Sequence, residues 1–354
     1  MRVHAIPMDD GACGYYRVKE PIRVARDAGV DAEWFGEVQV VATKHPSGAT
    51  EVHELLHDCD VLILQRPLMQ AAYAVALAAK RQGIKIVVEL DDDLHAVHKR
   101  NTVEPSIDPK KQPWHNRDWA ARTIALADLL TVSTPALARY GPEKAVVVRN
   151  RLPASALTLR PDVSPARRVV GWTGSIGVHP ADLQSTEGGL NRVPGQFTVV
   201  GDARGVAEAL KLPPSKVALG AEWDPDIPSY WKRVAENIGV GVAPLEMSPF
   251  NQAKSDLKCR EYLNLGIPFV ASPTDEYKRI VAESGAGLIA TSRGQWGRMV
   301  NRLVNNDAEY ERLRQRGADW APQNTIEQHA QAWIDAWERA YNKQYMRDKR
   351  AGLR

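Results

Sequence analysis

Short runs rich in Val and Ile recur through the first 150 residues, each bounded by polar or turn residues. They predict strands over Arg2–Pro7, Val38–Ala42, Val61–Gln65, Lys85–Leu90, Leu129–Ser133 and Ala145–Arg149. Helix-like stretches lie between them at Tyr16–Ala28, Met69–Gln82 and Trp114–Ala127. Such alternation implies parallel strands joined by crossover helices. Arg151–Arg168, with three prolines in eighteen residues, reads as a linker. The alternation then restarts, with strands expected at Val169–Thr173, Gln196–Val200, Val217–Leu219, Val240–Ala243, Phe269–Ala271 and Gly287–Ile289. Helices are expected at Pro228–Asn237, Leu257–Leu265, Asp275–Ser284, Gln295–Asn305 and Asp307–Trp320. Near the end, Ile326, Ala330, Trp333, Ile334, Trp337 and Tyr341 fall three and four residues apart, an apolar stripe for core packing.

The pattern gives an α/β fold of two doubly wound, Rossmann-like domains, residues 1–155 and 165–324, facing across a cleft. The segment 325–354 is expected to pack back on the first. A length of 354 residues accommodates two domains. With 44% hydrophobic and 25% charged residues, disordered and collagen-like classes are excluded. No apolar run approaches a bilayer span, and the opening MRVHAIPMDDG lacks a secretory h-region, so a cytoplasmic protein is expected. Three scattered cysteines, Cys13, Cys59 and Cys259, argue against a disulfide framework and offer no zinc pair. Six Lys/Arg against two Asp/Glu fall within 338–354, so the net charge of +3 comes from the tail. A basic, nucleic-acid-binding body is not indicated.

Four segments carry candidate chemistry. GACGYYR (Gly11–Arg17) follows the first strand and opens a helix. Its amides suit an anion, with Gly14, Tyr15 and Arg17 as candidate contacts, or it is a tight strand-to-helix turn. It is not a GxGxxG fingerprint. In ELDDDLHAVH (Glu89–His98) a buried strand runs into Asp91, Asp92 and Asp93. Three adjacent carboxylates repel, so a cation, a hydroxyl-rich ligand or an Arg must lie near them, unless they cap a helix. His95 and His98 stand close by, but no ligand spacing supports a metal. GWTGSIGVHPADL (Gly171–Leu183) repeats the strand, glycine turn and helix-start pattern, offering the amides of Gly174 and Ser175 to a phosphate, with His179 at a turn. In SPFNQAKSDLKCREYLNLGIPFVAS (Ser248–Ser272), Lys254, Lys258 and Glu261 are spaced for one helix face. Two cations suit a diphosphate; a carboxylate suits vicinal hydroxyls, as in dinucleotide folds.

Taken in order, these segments resemble glycosyltransferases of the GT-B fold, close to the retaining family 4 type. STPALARYGPEKAVVVRN, ending at Asn150, resembles the end of that family's N-terminal domain. FTVVGD (Phe197–Asp202) resembles the strand ending in Gly-Asp, and YWKRVAENIGVGVAPL (Tyr230–Leu245) the segment usually written with Asp-Ile-Gly. KSDLKCREYLNLGIPFVAS (Lys254–Ser272) resembles the donor-site block. The resemblance implies a nucleotide sugar held mainly by the second domain, with Glu261 on the ribose. Lys254 or Lys258 and the amides of Gly174 and Ser175 would hold the diphosphate. It also implies retention, an acceptor on the first domain, and a last helix returning to that domain. Three departures stand out. Ala253 occupies the place of the first of two glutamates, Gly174–Leu183 lacks the usual Arg and Lys, and Asp91–Asp93 stands where a His is common.

The expected activity is therefore glycosyl transfer from a nucleoside-diphosphate sugar, with Asp91, Asp92 and His95 as catalytic candidates. No cofactor is required and a divalent metal is not expected. A GT-B epimerase, or a non-catalytic sugar- or nucleotide-binding protein, is the alternative. The acceptor is open among protein, glycan, lipid and modified DNA base, so nucleic acid enters only as acceptor. The Gly-Tyr-Tyr-Arg opening is similar to glycosyltransferases encoded by bacteriophages.

Overall fold

A computed structural model describes residues 1–160, 168–186 and 188–342. Part of the expected linker and the basic tail from Lys343 to Arg354 lie outside the described residues. No helix among the described residues is long and apolar enough to cross a membrane. The chain divides into two compact units. The first comprises Met1–Val97, Val103–Asn150 and the chain from Ile326; the second comprises His98–Thr102 and Arg151–Thr325.

The first unit is built on a six-stranded parallel sheet of order β2-β1-β5-β6-β7-β8. Its strands are β1 (Arg2–Ile6), β2 (Asp31–Trp34), β5 (Val61–Gln65), β6 (Lys85–Leu90), β7 (Leu129–Val132) and β8 (Ala145–Val147). The run expected as a sheet strand at Val38–Ala42 differs. Here β3 (Val40–Lys44) pairs antiparallel with β4 (Thr50–Leu55) as a separate two-stranded ribbon. The edge place goes to β2, Asp-Ala-Glu-Trp, of which only Ala32 is buried, so its sequence carries almost no apolar signal. The C-terminal helix, Ala330–Tyr341, packs on this sheet with Trp333, Ile334 and Trp337 in the same core as Val3, Ile22 and Val87. Tyr341 is 41% exposed, so the apolar stripe stops one turn before it.

The expectation that Arg17 contacts a ligand is corrected here. The chain after β1 enters its helix through a π turn, Tyr15–Lys19, and points Arg17 into the sheet, where its side chain has no exposure. Its Nε and Nη2 donate to the two carboxylate oxygens of Glu89 at 2.6 and 3.0 Å. Nη1 donates to the Val148 carbonyl at 2.6 Å and to Asn150 Oδ1 at 3.0 Å. The Trp333 ring covers the guanidinium at 4.5 Å. One cation thus ties the first helix, β6, the chain after β8 and the C-terminal helix together, with no face left for a ligand.

A second buried polar contact joins β1 to the loop before β5. His57 Nε2 accepts from the Gln39 amide at 3.0 Å, which leaves Nδ1–H to donate to His4 Nδ1, also at 3.0 Å. Burial lowers the pKa of both rings.

The second unit carries a six-stranded parallel sheet of order β11-β10-β9-β12-β13-β14. These are β9 (Val170–Gly174), β10 (Phe197–Gly201), β11 (Val217–Ala221), β12 (Val240–Ala243), β13 (Phe269–Ala271) and β14 (Leu288–Ile289). Numbered from β9, this is the order 3-2-1-4-5-6 of doubly wound nucleotide-binding sheets. Helices Ile227–Asn237, Leu257–Asn264, Asp275–Ser284, Arg293–Asn305 and Asp307–Trp320 belong to this unit, whose core holds Trp172, Phe197, Val240, Val270, Trp296 and Tyr310. Order reverses between β9 and β12, so the loops after these two strands diverge and leave a crevice at their carboxyl ends.

Glu89→Ala would strand the Arg17 guanidinium in the core and is expected to cost about 3–5 kcal/mol in urea unfolding, whereas a surface pair would cost under about 1 kcal/mol. Protonating either ring of the His4–His57 pair sets two N–H groups against each other. Since both folded pKa values lie below the unfolded value of about 6.5, this stability is present above that pH and lost as pH falls through it. The urea midpoint is expected to fall between about pH 7.5 and 5.5, and to fall less in His4→Gln, which keeps an acceptor for His57 without a titrating ring.

Candidate functional site

The crevice of the second unit begins where β9 ends. Gly174 has φ +147°, and a Cβ there would lie 2.7 Å from the Trp172 ring, so the chain turns out of the sheet only because this residue is glycine. The segment after it does not start a helix as expected. It runs through successive turns to a short 3₁₀ element, Gln184–Thr186. Ser175 Oγ accepts from the Gly177 amide at 3.2 Å, and the Ser175 carbonyl accepts from the His179 amide at 3.0 Å. Gly174 therefore ends β9, paired with Gly201, and the Ser175 amide opens a turn without a helix dipole behind it.

Across the crevice stands the helix Leu257–Asn264, fixed from beneath by the buried Asp256, which pairs with Arg260 at 2.8 Å and with Arg279. Lys258 leaves its first turn and donates from Nζ to the carbonyl and to Oγ1 of Thr173, at 2.6 and 2.7 Å. Lys258 forms no ion pair among the described residues, so its charge rests on neutral oxygens. Burial lowers its pKa, with Glu261 acting in the opposite sense and Lys254 reinforcing it. Lys254 is not on this helix, contrary to the expectation of one shared face. It follows the single turn Pro249–Gln252, and its Nζ lies 4.5 Å from the Phe250 ring centroid.

One turn beyond Lys258, the buried carboxylate of Glu261 accepts from the Tyr230 hydroxyl at 3.3 Å. Tyr230 in turn lies 4.8 Å, ring to ring, from Trp223, which is half exposed. His179 sits on the opposite lip, its Nδ1 2.8 Å from Asp182 Oδ2 and its ring edge-on to Trp172. Burial lowers the His179 pKa although Asp182 opposes it, and both Lys254 and Lys258 act on the ring. The structure thus groups Gly174, Ser175, His179, Lys254, Lys258 and Glu261 at one sheet edge. Sequence reading missed the residues that hold them: Thr173, Asp182, Tyr230 and Asn251. An aspartate three residues after His179 was visible in the sequence, but its role depends on Asn251, 69 residues away.

In the first unit the corresponding edge is occupied by its own side chains. Asp9 Oδ1 accepts from the amides of Gly11 and Gly14 at 2.9 and 3.2 Å. The chain's own carboxylate therefore fills the anion position expected for a ligand. A Cβ on Gly14 would lie 1.9 Å from the Asp9 carbonyl oxygen, which is what requires glycine there. Tyr15, beside it, packs edge-on against Tyr16 at 5.4 Å.

Of the options open for the aspartate run, arginine is the one observed. Arg66 pairs with Asp91 through both oxygens, with Asp92 at 3.4 Å, and donates to Cys13 Sγ at 2.7 Å. Asp93 has no side-chain exposure and accepts from Arg139 and Tyr140. His95 is exposed and stacks on Tyr140. Asp91 is lowered by Arg66 against the effect of burial. Among the described residues, no three His, Cys, Asp or Glu side chains are grouped to hold a metal.

The sequence matches no family pattern and no curated protein. Solved structures share its fold. A sucrose-phosphate synthase from Thermosynechococcus elongatus superposes with a TM-score of 0.64 at 13% identity, over 96% of this chain and 99% of that one. HepE of Anabaena, solved with UDP-glucose, gives 0.60 at 16% identity, over 95% and 100%. WaaG, a glycosyltransferase of lipopolysaccharide biosynthesis, gives 0.59 at 11% identity, over 95% and 99%. The architecture is that of GT-B glycosyltransferases, two doubly wound α/β units in one chain.

An anion that engages Lys258 in the native state alone raises the melting temperature by linkage. Pyrophosphate is expected to stabilise the protein, and Lys258→Met to reduce that shift by half or more. An equal shift in both proteins would place the anion elsewhere.

Proposed function

We propose that the protein transfers a sugar from a nucleoside-diphosphate sugar to an acceptor nucleophile, with retention at the anomeric carbon. The observation that carries this reading is the placement of Lys258 and Glu261, one helical turn apart, at the switch point of a 3-2-1-4-5-6 sheet. A cation tethered to neutral Thr173 oxygens keeps its charge for an anion. A carboxylate one turn on can accept from vicinal ribose hydroxyls. Trp223, half exposed beside the Tyr230 that donates to Glu261, is a platform for the base. HepE, of the same fold, was solved with UDP and with UDP-glucose, which makes UDP the first nucleotide to test.

In the reaction the bond between the anomeric carbon and the β-phosphate oxygen breaks, the diphosphate leaves with the electron pair, and the acceptor nucleophile bonds to the anomeric carbon as its proton passes to the departing diphosphate. Lys258, Lys254 and the Ser175 amide meet the charge that develops on it. The acceptor belongs to the first unit in this reading, whose Arg66–Asp91–Asp92 cluster and His95 carry the polar groups beyond β5 and β6. Arg17 has no part beyond the fold.

Thermal shift with UDP, GDP, ADP, CDP and dTDP is expected to pick out one nucleotide for the wild type. Glu261→Gln keeps an acceptor for Tyr230 and is expected to weaken that nucleotide about 10- to 100-fold, the loss of a charged hydrogen bond to the ribose. Unchanged affinity would remove Glu261 from the site. Stabilisation by none of the five would contradict the nucleotide-sugar reading.

A further inference from the structure

Asp182 is almost wholly buried, and its carboxylate is gripped from three segments of the chain. Oδ1 accepts from the Glu246 amide at 2.9 Å and from Asn251 Nδ2 at 2.7 Å. Asn251 is itself fixed, since Nδ2 also donates to the Glu246 carbonyl at 3.0 Å. Oδ2 faces His179 Nδ1 at 2.8 Å. A carboxylate can only accept, so the proton of the neutral ring lies on Nδ1 and the lone pair on Nε2. The ring plane is set by Trp172, edge-on at 6.2 Å, and the backbone beneath it by the bond from the His179 amide to Ser175.

Nε2 makes no hydrogen bond among the described residues. The His179 side chain is 19% exposed and lines a small open depression with Val178, Ser248 and Phe250. Asp182, Lys254 and Lys258 act on its charge, and Glu246 lines the same depression. The two lysines supply positive charge for a diphosphate but no acceptor. A hydroxyl lying against that phosphate site needs an acceptor, and a neutral imidazole supplies one.

We infer that Asp182 is a positioning residue that holds His179 as the Nδ1–H tautomer, so that Nε2 accepts a hydrogen bond from a hydroxyl of the donor sugar. The inference rests on the nucleotide-sugar reading above and adds a determinant for the sugar. Asp182→Asn tests the positioning. Its amide oxygen keeps the bonds from Glu246 and Asn251, while its NH₂ would donate to Nδ1 and drive the ring proton to Nε2. His179→Phe keeps the ring volume and cannot accept.

The experiment uses full-length protein with ¹⁵N-histidine and two-bond ¹H–¹⁵N correlation, with UDP and UDP-glucose as probes. The wild type is expected to show His179 as Nδ1–H and Asp182→Asn to show it as Nε2–H. UDP-glucose, but not UDP, should move the Nε2 resonance. Both variants should bind UDP as the wild type does and lose about tenfold in affinity for UDP-glucose. An imidazolium protonated on both nitrogens, the state that a phosphate contact would favour, overturns the inference. So does an unmoved Nε2 resonance with both probes bound. If another of the five nucleotides binds in place of UDP, its sugar conjugate replaces UDP-glucose as the probe; if none binds, the nucleotide-sugar reading falls, and this inference with it. If both bind and the variants show no selective loss, the inference falls alone.

Discussion

A parallel sheet covered on both faces gives a polar side chain two choices: to be fully paired inside, or to emerge beyond the carboxyl ends of the strands. Both units of this chain obey that constraint, and most of what their charged residues do follows from it. Arg17 and Glu89 take the first choice. Their pairing is complete, with the Trp333 ring over it, and it joins the last helix of the chain to the first. Lys258 takes the second choice and reaches only the last residues of β9, bonding to Thr173 oxygens that carry no charge.

The two carboxyl edges are chemically unequal for a related reason. In the first unit two cations at the edge meet carboxylates: Arg66 with Asp91 and Asp92, Arg139 with Asp93. The turn amides meet Asp9. Charge there is cancelled within the protein. In the second unit Lys258 forms no ion pair among the described residues, and burial lowers the His179 pKa while Asp182 occupies its Nδ1. An anion with hydroxyls attached finds at the second edge a lysine held by neutral oxygens and an imidazole nitrogen with no hydrogen bond among the described residues.

Much of this was legible in the sequence, and the remainder was hidden for identifiable reasons. Buried strands announce themselves: Val61–Gln65, Lys85–Leu90 and Val240–Ala243 are observed with the bounds that their apolar runs predict. The edge strand Asp31–Trp34 buries one residue and gave no such signal. Lys258 and Glu261 stood out because i, i+3 spacing on a helix is a local property. Arg17 misled because its local setting, a basic residue after a glycine turn, suits a ligand as well as it suits a core. Glu89 lies 72 residues away, and the covering ring is at Trp333. The helix expected after Gly174 ends at one turn, closed by the His179 amide on the Ser175 carbonyl, because the next residue, Pro180, has no N–H to donate. The arginine near the three aspartates was expected as a type, but which arginine was settled only by strand order, which sets β5 beside β6.

The central claim is that the switch-point edge of the second unit receives the nucleotide sugar. Hydrogen exchange read by mass spectrometry, with and without UDP-glucose, tests it most directly, since it reports where a bound ligand slows amide opening. Protection is expected in peptides covering Trp172–Leu183 and Asn251–Leu265, with the Gly11–Arg17 turn unchanged. Protection confined to the first unit, or to neither of those two peptides while UDP-glucose is bound, would contradict it.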